Sequence, residues 1–136
     1  MPSGGVLLAM AMTAATPALA NPDDVIGEWR TPAPIHVQVH HCGEVVCARI
    51  VRMPDTTGQD LNNPEPRLRP RPVLGIQIFV AARASGPNGW KGRMYVPETG
   101  HTYDSRLISL GRNRLEVEMC GPMGFFCTQE VWTRTR

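Results

Sequence analysis

Residues 35–51, IHVQVHHCGEVVCARIV, decide the fold of this chain. Ile35, Val37 and Val39 alternate with His36, Gln38 and His40, and beyond Gly43-Glu44 the alternation resumes, with Val46, Ala48 and Ile50 opposing Cys47 and Arg49. Successive side chains of a strand point to opposite faces. A short break holding glycine between two such runs marks a tight hairpin. The stretch therefore predicts two antiparallel strands, apolar on one face and polar on the other.

The same pattern recurs on both sides. Stretches rich in Val, Ile, Thr and aromatic residues, separated by turn signals, predict eight strands over 25–31, 35–41, 45–53, 73–82, 90–96, 102–110, 114–119 and 126–134. Pro87-Asn88-Gly89 and Gly111-Arg112-Asn113 supply turn residues between them. No run of ten or more residues carries a 3.6-residue apolar period. Eight strands with mostly short links suit an all-β, up-and-down antiparallel barrel, because closure removes the two edges that an open sheet must protect. A two-sheet β-sandwich is the alternative. At 136 residues the chain has room for one such domain, expected over 21–136. A barrel of this size is either filled by its own side chains or holds one small ligand.

The first twenty residues, MPSGGVLLAMAMTAATPALA, combine an apolar run over 6–15 with Ala18-Leu19-Ala20, which predicts a secretory signal peptide cleaved after Ala20. The run is too short for a bilayer, which needs about 20 residues, so a periplasmic or secreted protein with no membrane span is expected. Export makes disulfides the default reading of Cys42, Cys47, Cys120 and Cys127. Each close pair flanks a predicted hairpin turn, which favours Cys42–Cys47 and Cys120–Cys127 over crossed pairings. The spacings C-x4-C and C-x6-C are looser than those of structural zinc sites. No metal or cofactor is expected.

A formal charge of +2 provides no field to gather nucleic acid or an anionic surface, although thirteen of the fourteen basic residues are Arg. The one long link, PDTTGQDLNNPEPRLRPRP over 54–72, holds five prolines and cannot continue a sheet ladder. It is expected to cross one end of the sheet structure, with Arg67, Arg69 and Arg71 alternating along one side if it is extended.

Chemistry is sparsely signalled. Ser85, Ser105 and Ser109 lie in no nucleophile-elbow pattern, and there is no Gly-rich phosphate loop. His36 and His40 share a strand face but stand about 13 Å apart, and His41 points the other way. Asp23-Asp24 lies near the start of the predicted domain, and Glu116 and Glu118 share an outer face. Glu130 has the parity of Trp132, so if Trp132 faces inward Glu130 is partly buried and needs a partner such as an Arg. In YVPETGHTY, residues 95–103, Pro97 and Gly100 specify a turn that leaves Glu98 and His101 at a hairpin tip, with Tyr95 and Tyr103 as flanking aromatics.

Four pieces in order carry a resemblance: Gly27-Glu28-Trp29; Asp60-Leu61-Asn62-Asn63-Pro64 with the following Arg69-Pro70-Arg71-Pro72-Val73-Leu74-Gly75; Trp90 through YVPETGHTY; and Val131-Trp132-Thr133-Arg134. With the two cysteine pairs, they make the chain resemble the bacterial secreted family catalogued as domain of unknown function 2147. The resemblance implies a small exported barrel related in shape to lipocalins, without an established activity. It also implies an acidic or amide residue before the Pro-Glu of the signature, where this chain has Val96. Gly27-Glu28-Trp29 looks like the glycine-x-tryptophan signature of lipocalin-type barrels, which implies that Trp29 closes one end with Arg134 stacked on it.

The leading expectation is a barrel that binds a small, partly apolar molecule, lined by Val37, Val39, Ile50, Ile76, Ile78, Met94, Leu107 and Val117. A cell-envelope interaction module with a filled core, acting on a protein partner through its outer surface and the 54–72 link, is the alternative. A small hydrolase or isomerase built from Asp60, Glu98, His101 and Arg residues is the third reading.

Overall fold

The hairpin read from residues 35–51 forms as β2 (His36–Cys42) and β3 (Val45–Arg52), turned through Gly43 at φ 75°. This is a computed structural model, and it describes Gly4, Gly5 and residues 22–136 apart from Pro87. The predicted signal peptide, Gly4 and Gly5 excepted, and the Pro87 of one predicted turn lie outside the described residues. Around the hairpin run β1 (Gly27–Arg30), β4 (Gln77–Ala84), β5 (Gly89–Val96), β6 (His101–Ser109), β7 (Arg114–Cys120) and β8 (Thr128–Arg134), each antiparallel to its neighbours. Pairing of Trp29 with Arg134 and Arg30 with Thr133 joins β1 to β8 and closes the barrel, which excludes the two-sheet sandwich.

Three strands start two or more residues later than the sequence reading, each for a backbone reason. Residues 22–25 form a 3-10 turn, with Ile26 N–H donating to the Asp23 carbonyl, so β1 begins only at Gly27. The segment after Pro72 turns again, with Ile76 N–H donating to the Val73 carbonyl and Gly75 at φ 92°, so β4 begins at Gln77 rather than at 73. Phe126 takes φ 58°, a left-handed conformation, and β8 starts two residues later. Alternation also breaks where register shifts occur on both sides of β4, so Ile78 and the adjacent Phe79 are both buried.

The barrel is packed unevenly. Trp29, Phe79, Leu107 and Leu115 are fully buried, and Trp90 nearly so; they fill the half of the barrel where the chain enters. Burying a side chain of this size contributes about 1.5–3 kcal/mol, so this half anchors the fold. The loops at the other end, 31–35, 53–76, 97–100 and 121–127, surround the mouth.

Candidate functional site

The closed end explains the Gly-x-Trp triplet. Trp29 donates its indole N–H to the Val25 carbonyl at 2.8 Å, and the Arg134 guanidinium lies 4.3 Å from the centre of its ring. Arg134 also donates to the carbonyls of Asp24, Ile26 and Arg112, tying the chain's entry to β8 and to the β6–β7 turn. A Cβ at Gly27 would stand 2.2 Å from that guanidinium, and φ there is 139°, so glycine is required. Trp29 and Arg134 together plug this end.

The open end holds a cavity of about 140 Å³. Val37, Ile50, Ile78, Met94, Met119 and Trp132 make its apolar wall, Glu130 lines it, and Thr31, Tyr95, Val96, Pro97 and Glu98 stand at its rim. A groove of about 280 Å³ adjoins it beneath the long loop, bordered by Met53, Gln59, Leu61, Asn62 and Val73, and shares Ile35, Ile50, Pro97 and Glu98 with the cavity. Glu130 is half-buried and its Oε1 accepts the Trp132 indole N–H at 2.6 Å. The partner of this inward carboxylate is thus Trp132, on the same strand face, rather than an Arg.

The long loop is fixed by a buried carboxylate. Asp60 is fully buried, and it accepts from Tyr95 Oη at 2.5 Å, Asn63 Nδ2 at 2.8 Å and Arg71 Nε at 2.9 Å. Burial pushes its carboxyl up, but the hydrogen bonds from Tyr95, Asn63 and Arg71, with the Arg71 charge, together outweigh it and hold it below the ordinary carboxylate range. Burial, followed by the hydrogen bond to Asp60 and its charge, pushes the Tyr95 phenol up to about 12. A bridge between Gln59 and Pro72 closes the loop on itself, and Asn62 Nδ2 donates to the Glu98 carbonyl at 2.8 Å, fastening it to the β5–β6 turn.

The segment holding Arg67, Arg69 and Arg71 is not extended throughout, because Pro66–Leu68 forms a 3-10 turn. Arg67 instead meets Glu65, Arg69 bonds the Asn63 carbonyl, and Arg71 serves Asp60. Of the eight expected lining residues, Val37, Ile50, Ile78 and Met94 border the cavity. Val39, Leu107 and Val117 do not: they are buried in the packed core with the large aromatics, and Ile76 is buried just before β4 begins. Sequence parity separated inside from outside but carried no signal for depth along the barrel axis. It passed over Met119 and Ile35; the alternation that placed Val37 would also have reached Ile35.

Asp60, Glu98 and His101 do not assemble a reactive group. Both Asp60 oxygens are occupied, and Glu98 and His101 are exposed on the turn, with no hydrogen bond or ion pair joining the three among the described residues. Tyr95 pairs with Thr102 and Tyr103 with Met94, so the two tyrosines fall on opposite faces rather than packing across the strands. Among the described residues the one cluster of potential metal ligands is Glu118, Cys120 and Cys127, and its cysteines are joined to each other. Cys42 and Cys47 bridge the β2–β3 hairpin with Cα atoms 5.9 Å apart, and Cys120 and Cys127 close the β7–β8 loop at 4.0 Å. That loop carries Met123, Phe125 and Phe126 at 89%, 64% and 94% exposure, an apolar tip that the sequence reading did not single out.

Over residues 27–134 the chain matches the family model described as an uncharacterized protein conserved in bacteria (DUF2147). Among solved structures it is similar to the Helicobacter pylori protein HP1028, which is described as belonging to the lipocalin family, with a TM-score of 0.74, 22% identity and 82% of each chain covered. No curated protein matches the chain.

Proposed function

The chain belongs to the DUF2147 family of uncharacterised bacterial proteins, and from that premise we propose that it is an exported barrel that binds a small, partly apolar molecule at its open end. The observation that carries this is the pairing of an apolar cavity of about 140 Å³ with the adjoining groove of about 280 Å³. A well-packed interior leaves few voids larger than a water molecule, and a void of this size accommodates a ring as large as benzene. The 54–72 loop is held over the groove by Asp60, which makes the site preformed rather than induced. Two disulfides support an oxidising compartment, in keeping with a signal peptide cleaved after Ala20. Among the described residues no helix is long and apolar enough to cross a membrane, and the outer wall carries exposed Arg49, Lys91, Arg93, Asp104 and Arg114. Native mass spectrometry of protein taken from its own cell envelope tests the reading: a bound small molecule is expected, and a bare polypeptide mass at every charge state would count against it.

The exposed Met123, Phe125 and Phe126 favour a second reading, an envelope protein partner docked on the β7–β8 loop. In-cell cross-linking from position 126 should then trap one specific protein, and the adduct should be lost in Phe125→Ser.

A further inference from the structure

We infer that the open-end cavity takes a small organic cation, a primary amine or quaternary ammonium carried on an apolar body about the size of a six-membered ring. The inference rests on the binding reading above and specifies its ligand. In a chain of net charge +2 with fourteen basic residues, no Lys, Arg or His lines either the cavity or the groove, and the charged side chains there are Glu98 and Glu130. The site is therefore acidic within a basic protein.

Glu130 sets the chemistry. Its Oε1 is held by the Trp132 indole, and among the described residues no hydrogen bond reaches its Oε2. A carboxylate with an open acceptor beside an apolar wall turns a negative charge and a free lone pair toward the cavity, and a cationic donor supplies both the opposite charge and the hydrogen. The guanidinium at the rim, Arg71, which lies over the Tyr95 ring, is engaged by Asp60. The remaining wall suits such a ligand: Trp132 supplies an aromatic ring, which attracts cations, and the flexible thioethers of Met94 and Met119 adapt to varied apolar shapes. An anion of the same size would meet two carboxylates and no positive partner.

Benzylamine, benzyl alcohol and benzoate carry one ring with charge +1, 0 and −1 at neutral pH, and their titration against the full chain, followed by the methyl NMR signals of Ile50, Met94 and Met119, tests the inference. Benzylammonium is expected to bind at least about tenfold more tightly than the alcohol, with benzoate weaker than both. Glu130→Gln, which keeps an acceptor for the indole, should erase that preference. Equal binding of amine and alcohol, or tighter binding of benzoate, overturns the cation and leaves the binding reading standing. If none of the three shifts these methyls, both fail. The comparison of probes on the unaltered protein stands even if the variant folds poorly.

Discussion

Tyr95→Phe removes one oxygen and nothing else, which makes it the sharpest probe of how the barrel mouth is held. The phenol donates to Asp60 at 2.5 Å, and Asp60 is fully buried, so the carboxylate has no direct access to bulk solvent. A hydrogen bond to a charged group contributes about 1.5–3 kcal/mol, and leaving a buried acceptor short of a partner costs a similar amount. Asn63 and Arg71 still hold the other oxygen, so the loss should fall near the middle of that range, about 2 kcal/mol. For a domain of this size that corresponds to a fall in Tm of about 6–12 °C. In urea, the midpoint should move with the slope unchanged, since the same surface is exposed on unfolding.

The pH dependence supplies an independent signature of the same bond. The Asp60 carboxyl titrates below its ordinary value in the folded protein, so its contribution is complete above an unfolded pKa near 3.9 and is lost as pH falls through the folded value. The variant has a smaller depression, so the stability gap between the two proteins should be widest near neutrality and close in acid. At the alkaline side the Tyr95 phenol, raised to about 12, contributes fully below its ordinary value near 10 and loses that contribution as pH climbs through about 12. The variant lacks this alkaline loss. A change under about 0.5 kcal/mol at neutral pH, or a gap that persists undiminished in acid, would refute the assignment of Asp60 as the carboxylate that pins the loop.

Three further perturbations probe the plug, the turn and the outer wall. Gly27→Ala places a methyl against the Arg134 guanidinium at a φ of 139° and should cost at least about 2 kcal/mol by thermal unfolding; a neutral result would mean that Arg134 does not stack over Trp29 as described. Gly100→Ala would set a Cβ 1.8 Å from the Asn62 carbonyl oxygen, so limited proteolysis should cut within 54–72 faster than in the parent, and unchanged cleavage would disprove the tie between loop and turn. On the outer wall, burial pushes Glu28 up, but hydrogen bonds from His36 and Thr135 and the charges of Arg52 and Arg136 outweigh it and leave its carboxyl below the ordinary range. Glu28→Gln should therefore lower stability above an unfolded pKa near 4.3 and make no difference once pH has fallen through the folded value, as read by denaturation at a series of pH values.

What the sequence disclosed followed the range of its signals. The β2–β3 hairpin, the turn at 97–100 and the cysteine pairs rest on residues a few positions apart, and alternation or turn chemistry reports such neighbours directly. The β4 boundary did not, because Gly75 and the register shifts on both sides of β4 break the period on which parity depends. The Asp60–Tyr95 bond joins residues 35 positions apart, and no local pattern encodes a contact at that distance. Glu130 was half legible: alternation put it on the face of Trp132, yet an Arg was the expected partner. The indole N–H two residues along was the available signal, since a buried Trp needs an acceptor as much as a buried carboxylate needs a donor.

The cavity exists because side-chain bulk is unequally shared along the barrel axis. A Cβ at Gly92 would stand 3.0–3.1 Å from Ala82 and from the tip of the Phe79 ring, so glycine at that point leaves room for a large aromatic in the packed core. Toward the mouth, unbranched Met94 and Met119 with Ile50 leave about 140 Å³ unfilled. Val96 borders that space at the position where the family resemblance implies an acid or amide, so the acidity of this chain's site is concentrated in Glu98 at the rim and Glu130 on the wall. If the ligand is a cation seated on Glu130, Val96→Asp adds a second negative charge along its route. At an effective dielectric of about 20 a charge some 8 Å away contributes roughly 2 kcal/mol before screening, and salt at this exposed rim reduces that to an affinity gain of about three- to tenfold. Titration of benzylammonium against the variant measures it directly. A gain for the amine with a loss for benzoate would place the charge beside the bound ring, whereas equal changes for amine, alcohol and benzoate would show that Val96 acts on the shape of the mouth and not on its field.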